Sequence, residues 1–68
     1  MNTDVKISLR AARVNAGLTQ VQAADKLLIG TSTLHAYERG KRQPRFSLLV
    51  QMEKLYGVGV GYLRSENE

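Results

Sequence analysis

The sequence predicts a small all-α domain, and three features of the chain lead to that prediction. The chain has 68 residues and no cysteine, so its core must form without disulfides, which closely packed helices do most easily because their contacts are local. Its apolar fraction of 43% is typical of a globular chain rather than a disordered one. Apolar residues also recur at helical spacing between glycines. We expect one compact domain over residues 4–64 and an acidic tail over residues 65–68.

Glycines divide the chain into four helical stretches and a short fifth one. Three of them follow a periodic stretch, where a left-handed residue commonly closes a helix: Gly17, Gly40 and Gly57. Gly30 and Gly59 each precede a stretch, where glycine is an acceptable N-cap. Gly61 lies inside the last stretch, so we expect the fifth helix to be short and frayed.

The first two predicted helices have distinct local signals. The first covers about residues 4–16 and carries the apolar stripe Val5, Leu9, Ala12 and Ala16. The second begins with a capping box, in which the Thr19 hydroxyl accepts from the amide of Gln22 and the Gln22 side chain reaches back. Its apolar face is narrow and made mostly of small residues, which lets another helix approach closely: Ala23, Ala24 and Leu27.

The third and fourth predicted helices differ strongly in hydrophobicity. Along residues 31–39, Leu34 and Tyr37 are the only apolar pair, so the rest of this helix is available for another purpose. The fourth helix, about residues 46–56, is the most hydrophobic and is expected to be the centre of the core. Its stripe consists of Leu48, Leu49, Met52, Leu55 and Tyr56.

The second and third helices, joined by residues 28–30, have the layout of a helix-turn-helix. In that arrangement the N-terminal part of the latter helix stands clear of the body and can enter a DNA major groove. The net charge of +4 and the isoelectric point near 9.9 also favour a polyanion, either nucleic acid or an anionic membrane surface. A solubilising surface charge explains the composition equally well.

Nearly the whole chain, residues 7–64, resembles the phage repressor/Cro type of helix-turn-helix protein. The resemblance rests on Leu18-Thr19-Gln20, Ala24, Leu27, Ile29, Ser32-Thr33-Leu34, Tyr37-Glu38-Arg39-Gly40, Pro44 and the closing segment Gly57 to Leu63. It implies a five-helix lambda-repressor-like domain that binds double-stranded DNA and regulates transcription, most simply as a repressor. It further implies a homodimer on a palindromic operator. Because a chain of this length has little room for a separate dimerisation domain, we expect the dimer to be weak and promoted by DNA, with contacts near Tyr56, Val58, Val60 and Tyr62.

The same resemblance assigns roles to individual residues. Gln20 is expected to hold a phosphate and to support the reading helix, and Arg45 to reach toward the minor groove. Arg13 and Glu38 are expected to form a buried structural ion pair that orients the third helix. The full set of expected DNA-binding residues is Gln20, Gly30, Thr31, Ser32, Thr33, His35, Ala36, Arg39, Lys41, Arg42 and Arg45.

A basic cluster directly follows the third helix. Four of the ten positive charges fall within seven residues: Arg39, Lys41, Arg42 and Arg45. A loop in this position can lie along the phosphate backbone beside the groove, although a solvated charged loop is the simpler alternative. Four to six phosphate contacts per subunit predict a slope of about −4 to −5 for log affinity against log salt.

Two departures from the family pattern leave other readings open. Leu28 stands where the family usually has a glycine in the left-handed conformation, which costs a bulky residue roughly 1–2 kcal/mol. We therefore expect the chain to bend at Gly30 instead. The reading face has no Arg, Gln or Asn for bidentate base contacts. A protein-interaction module of the same fold, such as an antirepressor, is therefore the main alternative, with Val21 and Ala36 as apolar surface. A basic membrane-binding peptide is a weaker third option.

Several classes of protein are disfavoured by the sequence. His35 is the only histidine and there is no cysteine, so no metal site is expected. No nucleophile–base arrangement and no glycine-rich phosphate loop is present, which predicts a chain that is not an enzyme and holds no cofactor. No apolar run reaches the roughly 18–20 residues of a membrane span, no secretion signal is evident, and the lack of cysteine fits the reducing cytoplasm.

Overall fold

The computed structural model of the chain describes residues 7–59 and 63–64. In this part of the chain, four helices are accompanied by a two-stranded parallel sheet. The elements in order are β1 (Ile7–Ser8), α1 (Leu9–Asn15), α2 (Gln20–Leu27), α3 (Thr31–Glu38), α4 (Phe46–Tyr56) and β2 (Leu63–Arg64). The fold is therefore mostly helical as predicted, but the expectation of a purely α fold with five helices is not confirmed.

The first helix begins later than its apolar spacing predicts. Ser8 has extended backbone angles and its Oγ accepts a hydrogen bond of 3.0 Å from the amide of Ala11, so it is the N-cap and α1 begins at Leu9. A helix through residues 7–8 is therefore wrong, and Val5 lies outside the described residues. Of the apolar stripe predicted for this helix, Leu9 and Ala12 are buried, whereas Ala16, the C-cap residue, is exposed.

The two short strands join the beginning of the described chain to its end. Ile7 pairs with Leu63 and Ser8 with Arg64 in parallel register. Leu63 is only 5% exposed and belongs to the hydrophobic core. A fifth helix beginning at Gly59 is not found, because residues 57–59 are not helical and residues 63–64 are extended. The intervening residues, including Gly61, lie outside the described part, as does the acidic tail.

The core lies between the four helices, and α4 contributes to it as predicted. Met52 is fully buried and Tyr56 is 7% exposed, while the other members of the α4 stripe are partly buried against the core: Leu48, Leu49 and Leu55. Helix α3 contributes Leu34 and Tyr37, the pair predicted from the sequence. Among the described residues, no helix is long and apolar enough to cross a membrane.

The turn between α2 and α3 reverses the chain at Leu28. This residue has φ 59° and ψ 41°, whereas Gly30 has an extended conformation with φ −73° and is the N-cap of α3. The expectation that Gly30 absorbs the bend is therefore wrong. The amide of Leu28 donates to Asp25 O and that of Ile29 to Ala24 O, the two hydrogen bonds of a Schellman motif, which offset the strain.

Replacing Leu28 with glycine is expected to stabilise the domain by about 1 kcal/mol, because it removes left-handed strain. The Leu28 side chain is 90% exposed, so little buried surface is lost. Chemical denaturation of the two proteins measures the difference. The reverse substitution at Gly17 is the control, because Gly17 has φ +78° and no atom lies within 4 Å of an added Cβ. Gly17→Ala should therefore destabilise the domain by about the same amount, through backbone strain alone. A Leu28→Gly variant less stable than the parent would contradict this account.

Candidate nucleic-acid interface

A buried ion pair connects α1 to the end of α3. Arg13 Nε donates to Glu38 Oε2 over 2.7 Å and Arg13 Nη2 donates to Glu38 Oε1 over 3.2 Å, which makes the pair bidentate. Arg13 Nη1 donates in addition to the carbonyl oxygen of Leu18 over 2.8 Å. Arg13 is 7% exposed and Glu38 is 2% exposed. One guanidinium thus holds α1, the loop before α2 and α3 in a single arrangement.

Gln20, the first residue of α2, connects this ion pair to the surface of α3. Its side-chain Nε2 donates to Glu38 Oε1 over 3.0 Å and lies 3.4 Å from Nδ1 of His35. The carboxamide therefore directs its protons toward α3 and is well placed to support that helix. The backbone N–H of Gln20 has no intrahelical partner, as in the first turn of any helix, and it faces outward from the start of α2.

The start of α2 is ordered by the capping box predicted from the sequence. The amide of Gln22 donates to Thr19 Oγ1 over 3.1 Å, and the amide of Thr19 donates to Gln22 Oε1 over 2.9 Å. Thr19 and Gln20 line an open cleft whose other walls include Arg10 and His35. Helix N-termini favour anions because their free amides and dipole are positive, so this cleft has the electrostatic character of a phosphate site.

Arg10 is a candidate residue that our sequence reasoning missed. Its exposed side chain lines the same cleft as Gln20 and Arg39. Its position three residues before Arg13 on α1 places the two arginines on one face of that helix, and this spacing was the signal that could have identified it. The cleft therefore receives positive charge from α1 as well as from the end of α3.

The predicted reading face of α3 is exposed at its beginning and closer to the protein at its end. Thr31, Ser32 and His35 are exposed, whereas Thr33 and Ala36 are half-buried. Gly30 is exposed as the N-cap, and no side-chain cap hydrogen bond is made there. The arrangement presents two hydroxyl groups and one imidazole, while Ala36 has less free surface than the sequence led us to expect.

The basic cluster lies on the loop that leaves α3. The side chains of Arg39, Lys41, Arg42 and Arg45 are all exposed. The amide of Lys41 donates to the carbonyl of Ala36 over 2.9 Å, which holds the loop against α3. The Arg42 guanidinium lies 5.5 Å from the centre of the Tyr37 ring, within range of a cation–π interaction. These contacts hold part of the cluster beside the reading helix.

Tyr56 lies inside the domain rather than on a surface that a second subunit could use. It is 7% exposed, and its hydroxyl has no hydrogen-bond partner within the described part of the chain. Burial, assisted by the carboxylate of Glu38 and opposed by Arg13, raises the pKa of Tyr56 from 10.0 to about 12. Of the expected dimer contacts, Val58 is half-buried and Val60 and Tyr62 lie outside the described residues.

Two further observations concern acidic and metal-binding groups. Glu53 on α4 is 4% exposed, a buried carboxylate that our sequence reasoning did not single out. Within residues 7–59 and 63–64, no group of three or more histidine, cysteine, aspartate or glutamate residues could hold a metal ion.

Helices α2 and α3 with the short turn between them have the layout of the helix-turn-helix class of DNA-binding domain, and a buried arginine–glutamate pair holds α3 in place. The family model for the helix-turn-helix matches residues 9–63. The chain therefore belongs to the helix-turn-helix family, of the repressor/Cro type that its sequence resembles.

Curated relatives are regulators from bacteria and a phage. The chain is 43% identical over 60 residues to the HTH-type transcriptional regulator ImmR of Bacillus subtilis (strain 168), covering 88% of this chain and 47% of that protein. It is 33% identical over 60 residues to the cryptic phage CTXphi transcriptional repressor RstR of Vibrio cholerae, covering 88% and 54%. It is 36% identical over 56 residues to the uncharacterized HTH-type transcriptional regulator YqaE of Bacillus subtilis (strain 168), covering 82% and 48%. The chain spans about half the length of these relatives. No solved structure matches it significantly.

Proposed function

We propose that this chain is a sequence-specific double-stranded DNA-binding transcriptional regulator that acts as a repressor in the cytoplasm, and that it is not an enzyme. The observation that carries the proposal is the exposed face of α3, held by Arg13, Glu38 and Gln20 and flanked by the basic loop. Membership of the helix-turn-helix family and similarity to two named transcriptional regulators and a phage repressor support it.

Base recognition falls to the exposed beginning of α3. Thr31, Ser32 and His35 carry the polar groups that can reach base edges, and the absence of a side chain at Gly30 allows the backbone to approach the DNA closely. Thr33 and Ala36 contribute only their exposed parts. Because hydroxyl groups discriminate weakly, DNA shape and the minor-groove approach of Arg45 add to specificity.

Phosphate binding is divided between two places. The backbone amide of Gln20, with Arg10 beside it, holds a phosphate at the start of α2, while the Gln20 side chain supports α3. Arg39 lines the same cleft as Arg10 and adds to this first place. The other exposed cations of the loop after α3 form the second place: Lys41, Arg42 and Arg45.

We further propose that the protein binds a palindromic operator as a homodimer, weakly associated before DNA is present. Helix-turn-helix dimers bind two half-sites whose centres lie about one turn of the DNA helix apart, and we expect that spacing here. Because Tyr56 is buried, the subunit contact is expected to use Val58 and the segment after it.

The alternative, a protein-interaction module of the same fold, is favoured by one observation: Val21 is 65% exposed on α2. The two functions differ in their response to salt, because only binding to a polyanion releases counterions. Selection of bound duplexes from a random pool at two salt concentrations decides between them. No enrichment together with no salt-dependent binding would overturn the DNA-binding function.

Duplex affinity is expected to fall with a log–log salt slope of about −4 to −5 per subunit, as four to six phosphate contacts require. Arg10→Gln should reduce the magnitude of that slope by about one, because one phosphate contact is lost for all sequences. Fluorescence anisotropy over a salt series measures both slopes. Lys54→Gln, which removes a positive charge from an exposed position on α4 outside the cleft, is the matched control. Equal slopes for the Arg10 and Lys54 variants would remove Arg10 from the phosphate site.

A further inference from the structure

The hydrogen bonds around Gln20 determine which way its carboxamide faces. Both oxygens of Glu38 accept from Arg13, which can only donate. The Gln20 atom that lies 3.0 Å from Glu38 Oε1 must therefore be the amide nitrogen, since an oxygen there would face a carboxylate oxygen with no proton between them. The buried ion pair thus sets the orientation of a side chain at the surface.

That orientation in turn determines the role of each ring nitrogen of His35. The same amide nitrogen lies 3.4 Å from Nδ1 of His35. Since an amide nitrogen donates and does not accept, a hydrogen bond between these two atoms makes Nδ1 the acceptor. A neutral imidazole whose Nδ1 accepts carries its proton on Nε2. His35 is exposed and lies one turn after Thr31 on the proposed reading face, so the free edge of the ring presents one hydrogen-bond donor.

We propose that His35 is a specificity-determining residue that donates from Nε2 to the N7 atom of a purine in the major groove. The inference rests on the proposed DNA-binding function and deepens it. Both purines present N7 as an acceptor in that groove, cytosine presents an amino donor, and thymine presents its O4 acceptor beside a C5-methyl group. Gln20 is the positioning residue for this contact, because it keeps Nδ1 occupied and turns Nε2–H outward. Each half-site therefore contains one position at which His35 contacts the N7 atom of a purine.

The contact is tested on the selected operator by replacing each purine of a half-site in turn with its 7-deaza analogue, which lacks only the N7 acceptor. For the parent protein, one such replacement should lower affinity about five-fold, the value of a single hydrogen bond of about 1 kcal/mol. For His35→Ala the same replacement should have no effect. Ser32→Ala, a matched truncation on the same face, should keep the five-fold loss.

Two further measurements test the tautomer of His35 and the positioning role of Gln20 separately from the stability of the domain. In the free protein at neutral pH, nitrogen NMR of the His35 ring should show the proton on Nε2, and a proton on Nδ1 would overturn the proposal. Gln20→Met removes the donor at similar side-chain length. Because Gln20 also supports α3 through Glu38, overall affinity should fall, and in addition the five-fold effect of the 7-deaza replacement at the His35 position should become smaller. A lower affinity with an unchanged 7-deaza effect would assign Gln20 a structural role only and overturn its part in positioning His35.

The outcomes also distinguish this proposal from the function on which it rests. If the parent protein binds no duplex at low salt, both the function and the role of His35 are overturned. If the parent selects an operator but the 7-deaza loss persists in His35→Ala, the DNA-binding function stands and the role of His35 is overturned.

Discussion

Replacing Glu38 with glutamine is expected to lower the free energy of unfolding by about 3–5 kcal/mol, the usual cost of leaving one member of a buried ion pair without its partner. Glu38 is 2% exposed and accepts from both Arg13 and Gln20. Glutamine has nearly the same shape, so the loss measures the missing charge rather than a cavity. Because small domains have only about 5–15 kcal/mol of stability in total, the variant should be largely unfolded at moderate urea.

Urea denaturation followed by circular dichroism measures this effect, and two further variants make the test specific. Asp25→Asn removes an exposed carboxylate near the end of α2 and should change stability by less than about 0.5 kcal/mol. The double variant Arg13→Met with Glu38→Leu should lose less unfolding free energy than the two single variants lose together, because neither charge is then left buried alone. An unchanged urea midpoint for Glu38→Gln would show that the pair does not hold α3.

Truncation of Leu34 to alanine is expected to cost about 2–5 kcal/mol, from lost apolar transfer and the cavity left behind. Leu34 is fully buried, and with Tyr37 it supplies the apolar contacts of α3 in the core. A helix held at so few points has little packing to compensate for the loss. The variant should therefore lose duplex binding at temperatures where the parent is still folded.

Thermal and urea unfolding measure the stability of Leu34→Ala directly. The control is Val21→Ala, which removes apolar atoms from a side chain that is 65% exposed and should cost less than about 0.5 kcal/mol. A loss below about 1 kcal/mol for Leu34→Ala would mean that α3 is anchored by other contacts.

Local signals in the sequence accounted for most of the helical boundaries. Glycine was correctly placed at the left-handed ends of α1 and α4, where Gly17 has φ 78° and Gly57 has φ 74°. The capping box at Thr19 was also correct. Ser8 was overlooked as the cap of α1 because apolar spacing continued N-terminal to it, although a serine before an apolar run is itself a helix-start signal. These features depend on neighbouring residues, which is why the sequence reveals them.

The candidate site was predictable only in part. The residues on the first turn of α3 and in the basic loop follow from position along the chain and from the family resemblance. The division of roles within Gln20 does not follow, because it depends on two hydrogen bonds to residues 15 and 18 positions away. Arg10 was missed for the same reason, since its proximity to the start of α2 arises from helix packing.

By itself, the sequence determined the helix-turn-helix, the few apolar contacts of α3 and the excess of positive charge beside it, because periodicity, capping and composition are local properties. Only the tertiary structure decided that Leu28 bears the left-handed turn, that β1 pairs with β2 from opposite ends of the described chain, and that Tyr56 is buried. It also joined Arg13, Glu38, Gln20 and His35 into one chain of hydrogen bonds. Apart from the turn at Leu28, whose hydrogen bonds reach back only to Ala24 and Asp25, these outcomes require distant segments to meet. Their free energies arise from packing and burial that no local pattern encodes.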